Sequence, residues 1–330
     1  MKPHILTSVL LSSFLCFGAA QAQTFTTFAV NPEGGAEPTG INDSGQVVGI
    51  YGCNPILCGF SRDPSGKMHH LGTWVEPEAV NNSGEFVGMF NRDRDGGSVS
   101  AFHSLPDGQL VKYLRGSEPV ATAVNSAGWI AGSYCVKCNL GTQVSYAYLM
   151  SPSGVISNIF TSSTGPIFTS GANNLNQVVG NWYDNNHPNG FLYSNGVLND
   201  SFNYPGAIDT RPTAINDNGE AVGDWTDSEG IVHGFYWTEA AGFTSFDAPK
   251  TTGTFPAAIN ASGTIVGSFF SNPGGTATSG FSLDPSGVLT AIDVPNSKST
   301  YAQGINSQGV VVGGYLAGRQ TRGFLYQPAK

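Results

Sequence analysis

The sequence predicts an all-β fold, a seven-bladed β-propeller of four-stranded antiparallel blades closed by the N-terminal strand joining the last blade. Three observations carry this. One short motif recurs seven times at near-constant spacing. Each copy reads as short strands separated by turns. The last copy stops one strand short, and a segment matching the missing strand stands at the other end of the chain.

The motif runs small, apolar, Asn, two variable residues, Gly, a variable residue, two apolar residues, Gly, a variable residue, aromatic. Its asparagines are Asn42, Asn81, Asn125, Asn173, Asn216, Asn260 and Asn306. Six intervals cover 306 − 42 = 264 residues, a mean of 44, within the range of repeat architectures. Asn at the first position of a type I turn bonds its own backbone two residues on, and Gly at the fourth supplies a positive φ. Gly45, Gly84, Gly128, Gly219, Gly263 and Gly309 fill that fourth position, so each copy opens with a hairpin turn and a glycine bulge. Copy four has Asn176 there instead, the residue that best tolerates left-handed backbone after glycine.

After each turn comes an apolar run such as Val47-Val48-Gly49-Ile50-Tyr51, whose near-continuous apolarity means a strand covered on both faces. A third strand carries Gly59-Phe60, Ala101-Phe102, Ala147-Tyr148 and their counterparts; a fourth is seen in Phe243-Thr244-Ser245-Phe246-Asp247. The final copy ends at Gly323-Phe324-Leu325-Tyr326, while Phe25-Thr26-Thr27-Phe28-Ala29 matches the fourth strand. Pairing the two leaves no open sheet edge between first and last blades. The Asn-bearing strand is expected innermost, where blades converge and small residues such as Gly40, Ala79 and Gly171 fit. The aromatics Tyr51, Phe90, Tyr134, Trp182, Trp225, Phe269 and Tyr315 recur in every copy, which suits inter-blade core better than a ligand-stacking ring.

Ahead of the repeats, Lys2, an apolar run over residues 5–20 and Ala20-Gln21-Ala22 read as a secretory signal peptide covering residues 1–22. That leaves 23–330 as a single seven-repeat domain, secreted or periplasmic. The leader's apolar part is short of the roughly 20 residues a membrane span needs, and no later run approaches that length. Gly is 44 of 330 residues and charged residues only 11%, a profile of tight turns and short strands. The net charge of −9 becomes −10 once Lys2 leaves, which disfavours nucleic acid as a partner. The mature chain is expected to be a monomer.

Four cysteines follow the leader. Close-spaced pairs in an exported chain read as local disulfides, Cys53 with Cys58 and Cys135 with Cys138, because copies one and three are not neighbours in the ring. The other reading of Cys135-Val136-Lys137-Cys138, a redox site, lacks a βαβ context. Asn91, Asp93 and Asp95, followed by Gly96, have the alternating oxygen ligands of a calcium loop, although Phe102 stands where an EF-hand has Glu and a polar hairpin accounts for the same residues. Calcium is the one candidate cofactor. His69, His70, His103, His187 and His233 lie in five contexts without metal-ligand spacing. No Gly-x-Ser-x-Gly elbow is present. Glu78, Asp43 and Asp217 are the acids nearest the innermost strand and read first as solvated turn residues.

The Asn-x-x-Gly-x-Val-Val-Gly pattern, followed by a degenerate His-Ala-Phe tripeptide with His233-Gly234-Phe235 nearest to it, resembles the HAF family of extracellular repeat proteins. The resemblance covers residues 24–328 and implies a bacterial, extracytoplasmic setting. It brings no catalytic residue. The expected function is that of a binding or scaffold module whose divergent loops, such as 183–189 and 272–279, contact a glycan, peptide or cell-surface ligand. The alternative is an extracellular polysaccharide hydrolase or lyase at the mouth of the central channel. Several acidic, His or Tyr side chains within about 10 Å of one another at one mouth would favour the enzyme. A mouth of Thr, Ser and backbone would favour binding.

Overall fold

An apolar run between two tight turns, too short for a helix and too apolar to face water, has to pair on both sides. The computed structural model describes residues 23–31, 35–53, 56–91, 99–136, 143–271 and 276–329, and within them every named element is a strand. β1 (Thr24–Phe28) comes first in the chain and belongs to the last blade. Blade one is β2 (Glu37–Ile41), β3 (Val47–Gly52), β4 (Leu57–Arg62) and β5 (Met68–Thr73). Blade two is β6 (Val75–Val80), β7 (Phe86–Phe90), β8 (Val99–Ser104) and the first part of β9 (Leu110–Val124). The rest of β9 opens blade three, with β10 (Ile130–Val136), β11 (Val144–Met150) and β12 (Ile156–Ser162), so blades two and three share one seven-stranded sheet.

The remaining blades are regular. Blade four is β13 (Ile167–Ala172), β14 (Val178–Asp184), β15 (His187–Ser194) and β16 (Val197–Asn199). Blade five is β17 (Asp209–Ile215), β18 (Ala221–Thr226), β19 (Val232–Thr238) and β20 (Gly242–Phe246). Blade six is β21 (Thr254–Ile259), β22 (Ile265–Phe270), β23 (Thr278–Leu283) and β24 (Leu289–Ile292). Blade seven is β25 (Thr300–Ile305), β26 (Val311–Ala317), β27 (Gln320–Gln327) and β1. There β1 runs antiparallel to β27 from Thr24 opposite Gln327 to Phe28 opposite Gly323, and the Phe25 ring packs on Phe324 and Tyr326 at 5.9 and 5.0 Å. β2, β6, the end of β9, β13, β17, β21 and β25 each pack on the next, and β25 packs on β2, which closes the ring about an axial channel.

The motif asparagines hold that ring. Within its own turn, the Asn42 Oδ1 accepts the backbone N–H groups of Ser44 and Gln46 at 3.1 and 3.0 Å, and the other six repeat all or part of this bonding. The same amide's Nδ2 donates across the blade boundary. Asn42 reaches the carbonyl of Asn81 at 2.9 Å, Asn81 that of Asn125 at 2.9, Asn125 that of Asn173 at 3.1 and Asn173 that of Asn216 at 2.9. Asn216 then reaches Asn260 at 3.0 Å, Asn260 reaches Asn306 at 3.1, and Asn306 returns to Asn42 at 3.2. All seven side chains are buried. Turn chemistry alone would accept Asp or Ser; a group that must accept at one atom and donate at another has to be an amide. The fourth turn position has φ between +57° and +86° in every copy, Asn176 included.

A second constraint explains the glycine and aromatic of each copy. Gly49, Gly88, Gly132, Gly180, Gly223, Gly267 and Gly313 stand opposite Phe60, Phe102, Tyr148, Phe191, Phe235, Phe281 and Phe324. A Cβ on any of these glycines would fall 2.0–2.3 Å from a carbonyl oxygen of the innermost strand. In six of them it would also meet the opposing ring. The ring therefore lies over the glycine, and all seven rings have no solvent exposure. The aromatics expected as inter-blade core divide, with Tyr51, Phe269 and Tyr315 buried and Phe90, Tyr134, Trp182 and Trp225 half-buried.

Two outcomes follow for stability. Asn260→Asp keeps the turn's acceptor but loses the donation to Asn306, and urea denaturation should show a loss of about 1–3 kcal/mol. Phe281→Ala empties the space over Gly267 and should cost about 3–5 kcal/mol in the same measurement.

Candidate functional site

The seven Asn turns lie at one end of the channel. At the other end run the hairpin loops after β3, β7, β10, β14, β18, β22 and β26 together with the crossings between blades. Each innermost strand carries a β-bulge, and its extra residue stands three places before the motif asparagine: Thr39, Glu78, Thr122, Ser170, Thr213, Ala257 and Gln303. A bulge re-aims a side chain, and here the extra residues turn to the axis. Six of the seven, together with Phe255 and Tyr301, line a cavity of about 640 Å³. The hydroxyls among them bridge blades: Thr39 Oγ1 donates to Pro77 O at 2.7 Å, Thr213 Oγ1 to Pro256 O at 2.9 Å, and Ser170 Oγ to Pro212 O. Thr122 and Thr169 share a hydrogen bond of 2.7 Å.

Two residues earlier, at the loop-side mouth, stand Glu37, Glu76, Val120, Phe168, Arg211, Phe255 and Tyr301, one per blade. Strand alternation puts them on the channel side, and the residues between them and the bulge, such as Pro38, Pro212 and Pro256, are buried between blades. The Phe168 ring is 48% exposed and packs edge-on to Tyr183 at 5.9 Å; Phe255 packs likewise on Phe270 at 5.2 Å. Between these pairs, on blade five, Arg211 is held by Asp209 at 3.0 Å and Asp224 at 3.1 Å. Burial raises the Asp224 carboxyl against the pull of that guanidinium. Burial also pushes the Tyr301 hydroxyl up to about 12.

Glu78 corrects the sequence-based reading. It is no solvated turn residue but the bulge residue of β6, aimed into the channel because the strand has one residue too many there. Burial first, and the neighbouring Glu76 carboxylate second, raise its pKa to about 7. Asp43 and Asp217 do stay on the turns and do not approach it. Asp43 accepts from Ser307 N at 2.8 Å and Asn82 Nδ2 at 2.7 Å, and Asp217 accepts from both nitrogens of Asn174, so each ties one blade's turn to another's.

Of the calcium-loop residues, Asn91 donates to Glu76 Oε1 at 2.6 Å, while Asp93 and Asp95 lie outside the described residues. Among the described residues no three metal-ligating side chains converge. Cys53 and Cys58 form a disulfide with Cα atoms 5.9 Å apart across the first loop-side hairpin. Cys135 is disulfide-bonded too, and Cys138 lies outside the described residues. The histidines remain apart, each with its own partner: His69 with Asp63, His70 with the Tyr51 hydroxyl, His103 with Glu85 and His187 with Asp209. His233 stacks on Trp225 at 4.4 Å between Asp247 and Asp227. Burial works against its charged form, but the two carboxylates outweigh it and raise its pKa.

The mouth residues were not singled out by motif reasoning, although a signal existed. They stand five places before each motif asparagine and differ from copy to copy, whereas the frame around them hardly varies.

No family model and no curated protein matches the chain. In fold it is similar to the β-propeller domain of the Trilobed protease from Pyrococcus furiosus, with 11% identity and a TM-score of 0.64 over 90% of this chain and 97% of that one. That domain is described as having an open velcro topology, whereas here β1 closes the last blade. The acylaminoacyl peptidase of Pyrococcus horikoshii is similar at 10% identity and a TM-score of 0.59, over 90% of this chain and 52% of that one. Prolyl endopeptidases are similar at 10% identity and a TM-score of 0.60, over 86% of this chain and 46% of theirs. This chain thus spans about half the length of those peptidases, and likeness at such identity is likeness of fold alone. Among the described residues no helix is long and apolar enough to cross a membrane.

Proposed function

We propose that this chain is an exported binding or scaffold module, in keeping with its HAF-like repeats, that presents the loop-side mouth of a rigid ring to a glycan, peptide or cell-surface ligand. One observation carries the reading. The ring asparagine and the glycine under the aromatic are the same in all seven blades, while the mouth position reads Glu, Glu, Val, Phe, Arg, Phe, Tyr around the circle. Positions under one structural demand repeat; a position free of that demand can be set blade by blade for a ligand. Exposed Phe168, backed by Tyr183, offers a flat apolar face of the kind that anchors sugars and side chains. The Glu37 and Glu76 carboxylates, at the mouth on blades one and two, select by charge.

Glycan and peptide arrays probed with the mature chain should yield hits. Phe168→Ala should weaken those hits at least about tenfold, the loss of one anchor, without lowering the melting temperature, and Tyr301→Ala should weaken them likewise while also costing stability, because its ring packs over Gly314. Arrays without hits, or hits that both variants retain, would remove the reading. For the export signal, the N-terminal sequence of the protein recovered outside the cytoplasm should begin at Gln23.

A further inference from the structure

Four residues of the bulge belt carry hydroxyls, and of the other three, Glu78, Ala257 and Gln303, only Glu78 is ionisable. Thr39, Ser170 and Thr213 use this position to bond the next blade, and Ala257 fills it without a polar group. Glu78 makes no such bond. Its half-buried side chain lies in the channel near Glu76, with neither a hydrogen bond nor a cation acting on the carboxyl. Threonine, as in blade one, would remove that desolvation and restore an inter-blade bond. A carboxyl placed where it costs stability, inside a cavity of ligand size, is a functional candidate.

The surroundings define what it would take. The cavity is lined by two carboxylates, Glu78 and Asp224, by the hydroxyls of Thr122, Ser170 and Thr213 and by the Gln303 amide, and no Lys, Arg or His is among its lining residues. Asp224 is already committed to Arg211. The Ser170 and Thr213 hydroxyls spend their protons on backbone carbonyls, so their lone pairs remain as acceptors. Phe255 and Tyr301 wall the entrance with aromatic rings, which suit a cation's approach and its alkyl stem.

We infer that the axial channel binds the alkylammonium group of a ligand entering from the loop side, with Glu78 as its counter-ion and the hydroxyl belt as acceptors. This deepens the binding-module reading and rests on it. An ammonium fits better than a guanidinium, because its three donors can spread over a ring of separate acceptors instead of one planar partner. The other ionisable groups about the channel are Glu76 on the same strand, Glu37 on the neighbouring innermost strand, Asp224 with Arg211, and Tyr301.

Calorimetry on the mature chain tests this with two sources of the same group, free cadaverine and the peptide acetyl-Gly-Lys-Gly-amide. At least one should bind at a single site, and which one does tells a free amine from a lysyl side chain. Only the ionised carboxylate holds the cation, and half-ionisation falls at about 7. Affinity should therefore rise about tenfold from pH 6 to pH 8. Glu78→Gln and Glu78→Thr should both lose at least about tenfold in affinity together with the pH dependence. A raised carboxyl pKa stabilises the fold at low pH and loses that contribution as pH rises through 7, so unliganded Glu78→Gln should gain melting temperature relative to the parent between pH 5 and pH 8. Binding of neither probe, or equal binding by parent and both variants, would overturn the inference. If array hits depend on Phe168 but ignore Glu78→Gln, the module reading stands and this one falls.

Discussion

Seven buried carboxamides carry the closure of this molecule. Each asparagine spends its oxygen on its own hairpin and its nitrogen on the neighbouring blade, so the turn and the blade boundary are made by the same side chain. The bond from Asn306 back to Asn42 joins residues 264 apart in sequence, and it is the same bond as the six between consecutive blades. A buried carbonyl left without its partner costs more than the net worth of the bond that satisfied it. The ring is therefore sensitive at every one of its junctions. Outside it, β1 on β27 supplies a second latch, joining the last blade to the part of the chain that leads into the first.

Around that girdle the blades are packed by a single recurring solution. The second strand must run so close to the innermost one that a side chain has no room, and the aromatic of the third strand covers the bare backbone that results. Glycine and ring are thus one unit, and neither is a ligand contact. Because the Asn turns and the glycine–ring core are committed to this frame, the loop side and the channel wall are left to vary. The first disulfide braces a loop-side hairpin for the same reason: such loops have no sheet partner beyond their own strands.

The channel shows what a repeated frame leaves free. The bulge gives each blade one extra residue facing the axis, and most blades use it for a hydroxyl that ties neighbours together. Glu78 forgoes that bond, and at the mouth Arg211 with its two acids stands between two aromatic pairs. These positions carry chemical meaning because the frame around them, the asparagine and the glycine under the ring, is the same in every copy while they are not.

Much of this was legible in one dimension. Turn geometry depends on residues i to i+3, so Asn42 to Gly45 and even the Asn176 exception declare themselves locally, and strand count and ring size follow from a period that repeats. The pairing of Cys53 with Cys58 was equally readable, five residues apart. The amide's second bond, the ring over Gly49 and the inward turn of Glu78 were not, because each is an encounter between strands or blades whose relative placement is set only when the circle closes. A bulge in particular leaves no mark in composition or periodicity: Glu78 reads as one more polar residue beside a turn until the paired strand shows that it is one residue too many.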